Sequence, residues 1–149
     1  MKTSIRLLAC ALFALLSVLE ARAEPGAKYW YEMALAEMGD MAAPLSQERL
    51  IRGAEAIAQA KAVGGQTERE CELIDAVAQF YHRHGERSHD ERLVHYERAL
   101  SRSRRLHPDD PVIGRAHDRA SAIAMSRARE RAEAYARSRG AVSGNRGSW

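Results

Sequence analysis

The chain has 149 residues, of which 46% are hydrophobic and 29% are charged, with 23 Lys and Arg against 20 Asp and Glu. This length suits one domain with a modest core. Residues 1–23 hold three of the basic residues and one acidic residue, so the rest of the chain has a net charge of only +1. This balance argues against a nucleic-acid partner.

Residues 1–23 have the three parts of a secretory signal peptide. Two basic residues near the start precede an almost unbroken apolar run over 7–19, and Ala21-Arg22-Ala23 places small residues where a signal peptidase cleaves. The apolar run is shorter than the roughly 20 residues that a membrane-spanning helix needs. We therefore expect cleavage after Ala23, a periplasmic or secreted protein, and no stable membrane span. Cys71 is the one cysteine beyond this segment, so no internal disulfide is expected.

The rest of the chain shows helical periodicity and no alternating strand pattern, which predicts an all-α fold. A first helix is predicted over 29–41. After a break at Pro44, the second is predicted over 46–63, with an apolar stripe along one face. Gly64-Gly65 ends this helix, because glycine enters the left-handed cap without a Cβ penalty.

Three further helix starts have recognisable caps. Thr67 with Glu70, and Ser88 with Glu91, have the spacing of a capping box, and they predict helices over 67–84 and 88–106. Asp110-Pro111 predicts a third start, with aspartate as the N-cap and proline at the first helical position.

The last predicted helix, over 112–138, differs from the others in composition. Alanine recurs every four residues along it, while arginines occupy its other faces. Residues 112–149 carry 8 basic and 3 acidic side chains, against 12 and 16 over 24–111. This asymmetry fits either a solvated Arg-rich face or a basic segment with an anionic partner. Residues 140–149 are rich in Gly, Ser and Asn, and we expect them to be disordered. The alanines are Ala116, Ala120, Ala124, Ala128, Ala132 and Ala136.

Helices of this length joined by short breaks should fold back as antiparallel neighbours. Pairing 46–63 with 67–84, and 88–106 with 111–138, gives two units of about 40 residues. That period is typical of helical repeat arrays, in which each hairpin buries its face against the next.

Four stretches of the sequence resemble a group of exported bacterial tetratricopeptide-repeat proteins. That group has a "YWG-x-A" helix, an "A-x-x-KA" helix, a "TERE…YI-x-AVA-x-(F/L)Y" helix and a "Y-x-x-A(M/L)…YPDD" helix and turn. The resemblance covers residues 27–115. The chain departs from the group in stopping after about two repeats and in its Ala/Arg helix beyond Pro111. The matching stretches are Tyr29-Trp30-Tyr31-Glu32-Met33-Ala34, Arg52-Gly53-Ala54-Glu55-Ala56, Gln66 to Tyr81, and His95 to Asp110.

The resemblance implies tetratricopeptide-like helical hairpins forming a right-handed α-solenoid fragment. On this basis we divide the chain into a signal peptide (1–23), a repeat domain (24–111), a C-terminal helix (112–139) and a disordered tail (140–149). The family works by offering surface to other proteins, so a non-enzymatic module that binds a protein or peptide is expected. The candidate binding residues are the aromatic side chains Tyr29, Trp30, Tyr31, Tyr81 and Tyr96.

No motif in the sequence predicts catalysis or a cofactor. There is no G-x-S-x-G turn, no glycine-rich phosphate loop and no C-x-x-C-H haem motif. We therefore expect no enzyme activity and no cofactor.

The alternative function is a periplasmic metal- or small-anion-binding protein. It would use His82, His84 and His89, which cluster at a helix end and loop, with nearby arginines. These histidines are better explained as solvated polar residues of a loop.

Overall fold

The computed structural model describes residues 25–144, which form five α-helices and no strand, so the predicted all-α fold is confirmed for this part of the chain. The predicted signal peptide and residues 145–149 lie outside the described residues. No helix over 25–144 combines the length and the apolar character needed to cross a bilayer. The helices are α1 Ala27–Met38, α2 Gln47–Val63, α3 Glu68–Tyr81, α4 His89–Leu106 and α5 Pro111–Gly144.

The helix starts follow the cap residues of the sequence. The Thr67 hydroxyl accepts from the Glu70 amide (3.2 Å), and the Ser88 hydroxyl accepts from the Glu91 amide (3.3 Å). The Glu91 carboxylate also accepts from the Ser88 amide (2.8 Å), which completes the predicted capping box. The Glu70 carboxylate instead accepts from the Gln66 amide (2.7 Å). The box predicted at Thr67 is therefore wrong in its second half, because the carboxylate bonds one residue further back.

Each helix packs antiparallel against the next one in sequence, and α1 also packs against α3. The most extensive pairs are α1 with α2 and α3 with α4. The predicted pairs, 46–63 with 67–84 and 88–106 with 111–138, also pack against each other, but less extensively. Periodicity shows which face of a helix is buried, but it does not show which neighbour covers that face. The two hairpins are thus 27–63 and 68–106, and α5 is an added fifth helix.

The partly buried carboxylate of Glu37 joins α1 to α2. Glu37 accepts from the Nε atoms of Arg49 (3.3 Å) and Arg52 (2.8 Å), and Arg49 also donates to the Ala36 carbonyl (3.0 Å). The hydrogen bond from Arg52, ahead of that from Arg49, holds the pKa of Glu37 below its usual value. The end of α1 is therefore fixed against the start of α2.

The core is centred on the end of α3. Phe80 and Val77 are almost fully buried, together with Leu93 and Leu100 of α4. The Tyr81 hydroxyl donates to the Ala34 carbonyl of α1 across 2.7 Å. The Tyr81 ring lies over Gly53 of α2, where an added Cβ would come within 2.3 Å of it. Tyr81 of α3 thereby contacts both α1 and α2.

Helix α5 contains 34 residues and is about 50 Å long at 1.5 Å per residue, whereas α4 contains 18 residues. It therefore extends well past its neighbour. Of the predicted alanine stripe, Ala120 is buried, but every residue over 128–139 is exposed. The helix runs to Gly144, whereas the sequence predicted an end near residue 138 and disorder over 140–149.

Replacing Gly53 by alanine should destabilise the protein by about 1–3 kcal/mol, because the new methyl group overlaps the buried Tyr81 ring. Gly114, in α5, is the matched control, since an added Cβ there meets nothing within 4 Å. Gly114→Ala should stabilise the protein by about 0.5–1 kcal/mol, the usual gain in helix propensity. Urea melts of both variants test this. Equal stability of the two variants would contradict the close contact between Gly53 of α2 and the Tyr81 ring of α3.

Ser88→Ala should lower the free energy of unfolding by about 1 kcal/mol at neutral pH. The hydrogen bonds from the Ser88 amide and hydroxyl hold the pKa of Glu91 below its ordinary 4.5. This contribution is present above pH 4.5 and is lost as the pH falls through the lowered pKa. The loss caused by Ser88→Ala should therefore be smaller in acid than at neutral pH.

Thr67→Ala is the control for this pH dependence. It should cost about the same 1 kcal/mol at neutral pH. Its effect should change less in acid, because the Glu70 carboxylate bonds Gln66 rather than the cap residue. Denaturant melts at both pH values compare the two, and identical pH profiles would contradict the difference between the two caps.

Candidate functional site

A groove lies where the starts of α1, α3 and α5 meet. Its volume is about 150 Å³. Leu73 and Ile74 of α3 are buried at its floor, Tyr31 of α1 is half-buried in one wall, and Val112 of α5 is 36% exposed at its edge. A cavity of about this size with apolar walls holds a benzene-sized group. The groove thus fits a single apolar side chain.

The charged side chains around the groove are already paired with protein groups. Lys28 lies 3.7 Å from Glu32 on α1, and Arg69 of α3 lies 3.6 Å from Asp110 at the start of α5. The Glu70 carboxylate accepts from a backbone amide. The rim therefore presents balanced charge, and the apolar floor is the part left to bind a partner.

Tyr31 keeps its proton over the whole physiological range. Burial, followed by the nearby Glu32 carboxylate, raises the pKa of Tyr31 to about 12. The phenol is therefore a neutral, mostly apolar wall of the groove that retains one hydrogen-bonding atom.

The predicted aromatic binding residues do not form one surface. Tyr29 is 51% exposed, and its ring meets that of Trp30 edge-on, with centroids 5.1 Å apart. Trp30 lines a separate depression between α1 and α2, whereas Tyr31 lines the groove. Tyr81 and Tyr96 are buried in the core. Neither offers an exposed surface, because their periodic positions face inward on α3 and α4.

The predicted histidine cluster does not converge on one point. His82 is exposed, and His84 lies 3.3 Å from the Tyr81 carbonyl. His89 is buried, with its Nε2 bonded to the Met41 carbonyl (3.0 Å). Burial, above all, holds the pKa of His89 below its usual value. Over residues 25–144 no three His, Cys, Asp or Glu side chains are placed to hold a metal ion. The structure therefore gives the metal alternative no support.

A polar seam joins α4 to α5. Asp90, whose side chain is 16% exposed, pairs with Arg127 (3.1 Å) and Arg131 (3.2 Å). Further along, Glu97 accepts from Ser121 (3.2 Å). The alanine stripe buries little apolar area, so these polar contacts hold the middle of α5 in place.

Part of this seam has the connectivity of a Ser-His-Asp triad. Ser101 Oγ lies 2.9 Å from His117 Nε2, and His117 Nδ1 lies 3.4 Å from Asp118. Nδ1 also lies 3.0 Å from Arg104 Nη1, so this nitrogen sits between a guanidinium and a carboxylate. A catalytic histidine needs Nε2 free to take the serine proton, and here Ser101 instead donates to Glu97 (2.8 Å).

The groove and the His117 network were missed by the sequence analysis. Tyr31, Ile74 and Val112 lie on three different helices, and nothing local to any one of them indicates that they meet. For His117, the sequence did offer two signals. It lies between the buried positions 113 and 120 of α5, and Glu97 and Ser101 are four residues apart on one face of α4.

Comparison of the chain with protein-family models, with curated proteins and with solved structures finds no match in any of the three. The resemblance to tetratricopeptide-repeat proteins therefore stays a prediction based on its motifs.

Asp90→Asn should free α5 from α4, because the ion pairs to Arg127 and Arg131 are lost together. Amides over 120–131 should exchange with solvent about tenfold faster, as expected when a partly buried ion pair is broken. Hydrogen exchange followed by mass spectrometry measures this. Beyond residue 131 exchange should already be fast in the unchanged protein, since those side chains are exposed.

Asp75→Asn is the matched control, because Asp75 forms an exposed pair with Lys61 between α2 and α3. It should leave exchange in α5 unchanged. Slow exchange of residues 120–131 in the Asp90→Asn variant would show that apolar packing alone holds the helix.

Proposed function

We propose that the protein is an exported, non-enzymatic helical-repeat module that binds a protein or peptide segment in the groove between α1, α3 and α5. The observation that carries the proposal is the apolar, open-edged groove, whose rim charges are already paired. An interface of this kind gains most of its free energy from a few buried anchor side chains.

The size and lining of the groove define the partner. About 150 Å³ accommodates one leucine, isoleucine or phenylalanine side chain. Burying such a side chain is worth about 1.5–3 kcal/mol, so neighbouring contacts must add to it.

Two sequence features support the wider assignment. The basic, apolar and A-x-A segments over 1–23 favour export, which places the partner in the periplasm or outside the cell. The motif resemblance favours a tetratricopeptide-like array, and the antiparallel hairpins 27–63 and 68–106 are consistent with it.

A non-enzymatic role is favoured by the hydrogen bonds of Ser101 and His117, the two residues that most resemble a catalytic pair. The Ser101 hydroxyl donates to the Glu97 carboxylate (2.8 Å) rather than to His117, an arrangement that suits a structural contact between α4 and α5. Ser101 and His117 serve instead as part of the α4–α5 seam.

Val112→Asn should weaken partner binding about tenfold, because it places an amide at the groove edge while keeping the side-chain size. Val63→Asn is the matched control, since Val63 is an exposed valine at the end of α2 and does not line the groove. A peptide library selected on the periplasmically recovered protein supplies the ligand, and fluorescence anisotropy measures its affinity. The N-terminal sequence of that preparation tests cleavage after Ala23.

The selected peptides should share a large aliphatic or aromatic anchor. Binding that is lost equally in both valine variants, or retained by Val112→Asn, would contradict the assignment of the groove. A preparation whose N-terminus is still Met1 would contradict export by this signal.

A further inference from the structure

A second cavity lies between α1, α4 and α5, next to the groove, with which it shares the side chain of Tyr31. Its volume is about 160 Å³. Leu35 and Met38 of α1 and Met41 of the turn after α1 supply most of its apolar lining. A cavity of about this size holds a group as large as benzene. It therefore has room for the apolar body of a small molecule.

The hydroxyl of Tyr96 is a polar group of this cavity. Tyr96 is only 4% exposed, and its hydroxyl bonds no protein group in the described part of the chain, unlike those of Tyr81 and Tyr135. It is nevertheless absent from the unpaired side-chain atoms that the protein encloses completely. Because Tyr96 lines the cavity, the hydroxyl has its opening there. It is thus a hydrogen-bonding group available to a ligand.

Arg119 of α5 lines the same cavity and is exposed, so it lies where the cavity meets solvent. Burial raises the pKa of Tyr96 far above its usual value, the nearby Tyr31 phenol raises it further, and the charge of Arg119 lowers it. These three polar groups are therefore close together as well as on one cavity wall. Both phenols stay neutral at physiological pH, so each can donate a hydrogen bond.

The charge of Arg119 is not neutralised by the protein. Its Nη2 donates to the Gly39 carbonyl across 3.4 Å, and within residues 25–144 it forms no ion pair. The adjacent acidic side chains have other partners, since Asp118 pairs with Arg104 and Asp40 accepts from a backbone amide (3.0 Å). Among the residues that line the cavity there is no carboxylate. The cavity thus combines an apolar lining with a single positive charge.

The turn that closes the cavity is held in a strained conformation. Met41 has a φ of 62°, in the left-handed region that side chains disfavour. Its carbonyl accepts from His89 Nε2 of α4 (3.0 Å), and the Gly39 carbonyl accepts from Arg119 of α5. Contacts from two helices therefore fix this wall, as expected for a site whose shape exists before a ligand binds.

We propose that this cavity binds a small monocarboxylate with a short apolar body. The carboxylate pairs with the Arg119 guanidinium and accepts from the Tyr96 hydroxyl, while the apolar body packs against Met38 and Met41. One guanidinium balances one negative charge, whereas a phosphate dianion would keep an unbalanced charge beside the apolar lining. The proposal is independent of peptide binding in the groove.

The test titrates the protein, labelled with ¹³C at its methionine methyl groups, with sodium isovalerate and follows the methyl signals by NMR. A ligand of about seven non-hydrogen atoms should bind with a Kd of about 0.1–1 mM. The signals of Met38 and Met41 should shift saturably. Met33 and Met125 are exposed and do not line the cavity, so their signals are internal controls and should not move. Isovaleramide, which has the same shape without the charge, should bind about tenfold more weakly.

Arg119→Gln should weaken isovalerate binding about tenfold and leave isovaleramide binding unchanged. The matched control is Arg115→Gln, since Arg115 is an exposed arginine one turn earlier on α5 that does not line the cavity. Tyr96→Phe keeps the ring but removes the hydroxyl, and it should also weaken isovalerate binding about tenfold. Unliganded methionine spectra show whether each variant is folded, and the comparison of acid with amide needs no variant.

A second arm distinguishes a free acid from the C-terminus of a peptide, which presents the same chemistry. The peptide acetyl-Gly-Gly-Leu, with a free carboxylate or as the C-terminal amide, replaces isovalerate in the titration. Arg119-dependent shifts with the peptide acid would support a peptide C-terminus as the source, and shifts with isovalerate alone would support a free acid. The proposal fails if neither acid shifts Met38 and Met41 at about 50 mM, a concentration well above the expected Kd. It also fails if amides bind as tightly as acids, or if the two arginine variants weaken binding equally.

Discussion

The position of Tyr81 is the constraint on which the rest of the fold depends. Its ring fits against α2 only because residue 53 is a glycine, and its hydroxyl ties the α1 backbone to α3. Without that close approach α1 would not lie on α3, and Tyr31 would not face Ile74 across the groove. A contact in the core therefore sets the geometry of a binding surface on the outside. The same contact explains why Tyr81 itself is unavailable to a partner.

The fifth helix is attached by two kinds of interaction. Ile113 and Ala120 are buried in the core with apolar side chains of the hairpins, and ion pairs and hydroxyl groups join α5 to α4 further along. Partly exposed polar contacts of this kind contribute less free energy than apolar burial and are weakened by salt. Yet α5 supplies Val112, one edge of the groove. Val112 lies next to the buried Ile113, so apolar packing positions this edge of the groove.

The sequence was sufficient to predict where helices begin, but it was not sufficient to predict which helices pack most closely together. Ser88 and Asp110 marked helix starts because capping is a local interaction within one turn. The predicted helix pairs do pack together, but the most extensive pairs are different ones, because the apolar stripe of 46–63 fits either adjacent helix. The site could be predicted only in part. Tyr31 was chosen as an aromatic residue, but its partners Ile74 and Val112 depend on helix crossings that no short-range pattern encodes.

The length of α5 has a mechanical consequence. From Arg131, its last ion pair to α4, the helix continues for about 20 Å to Gly144. A tilt of about 10° at the Asp90 attachment would move that end by roughly 3–4 Å, given the 1.5 Å rise per residue. The other end of the helix is fixed, because Ile113 and Ala120 are buried in the core. Such a tilt would therefore move the outer end of α5 and leave Val112 at the mouth of the groove in place.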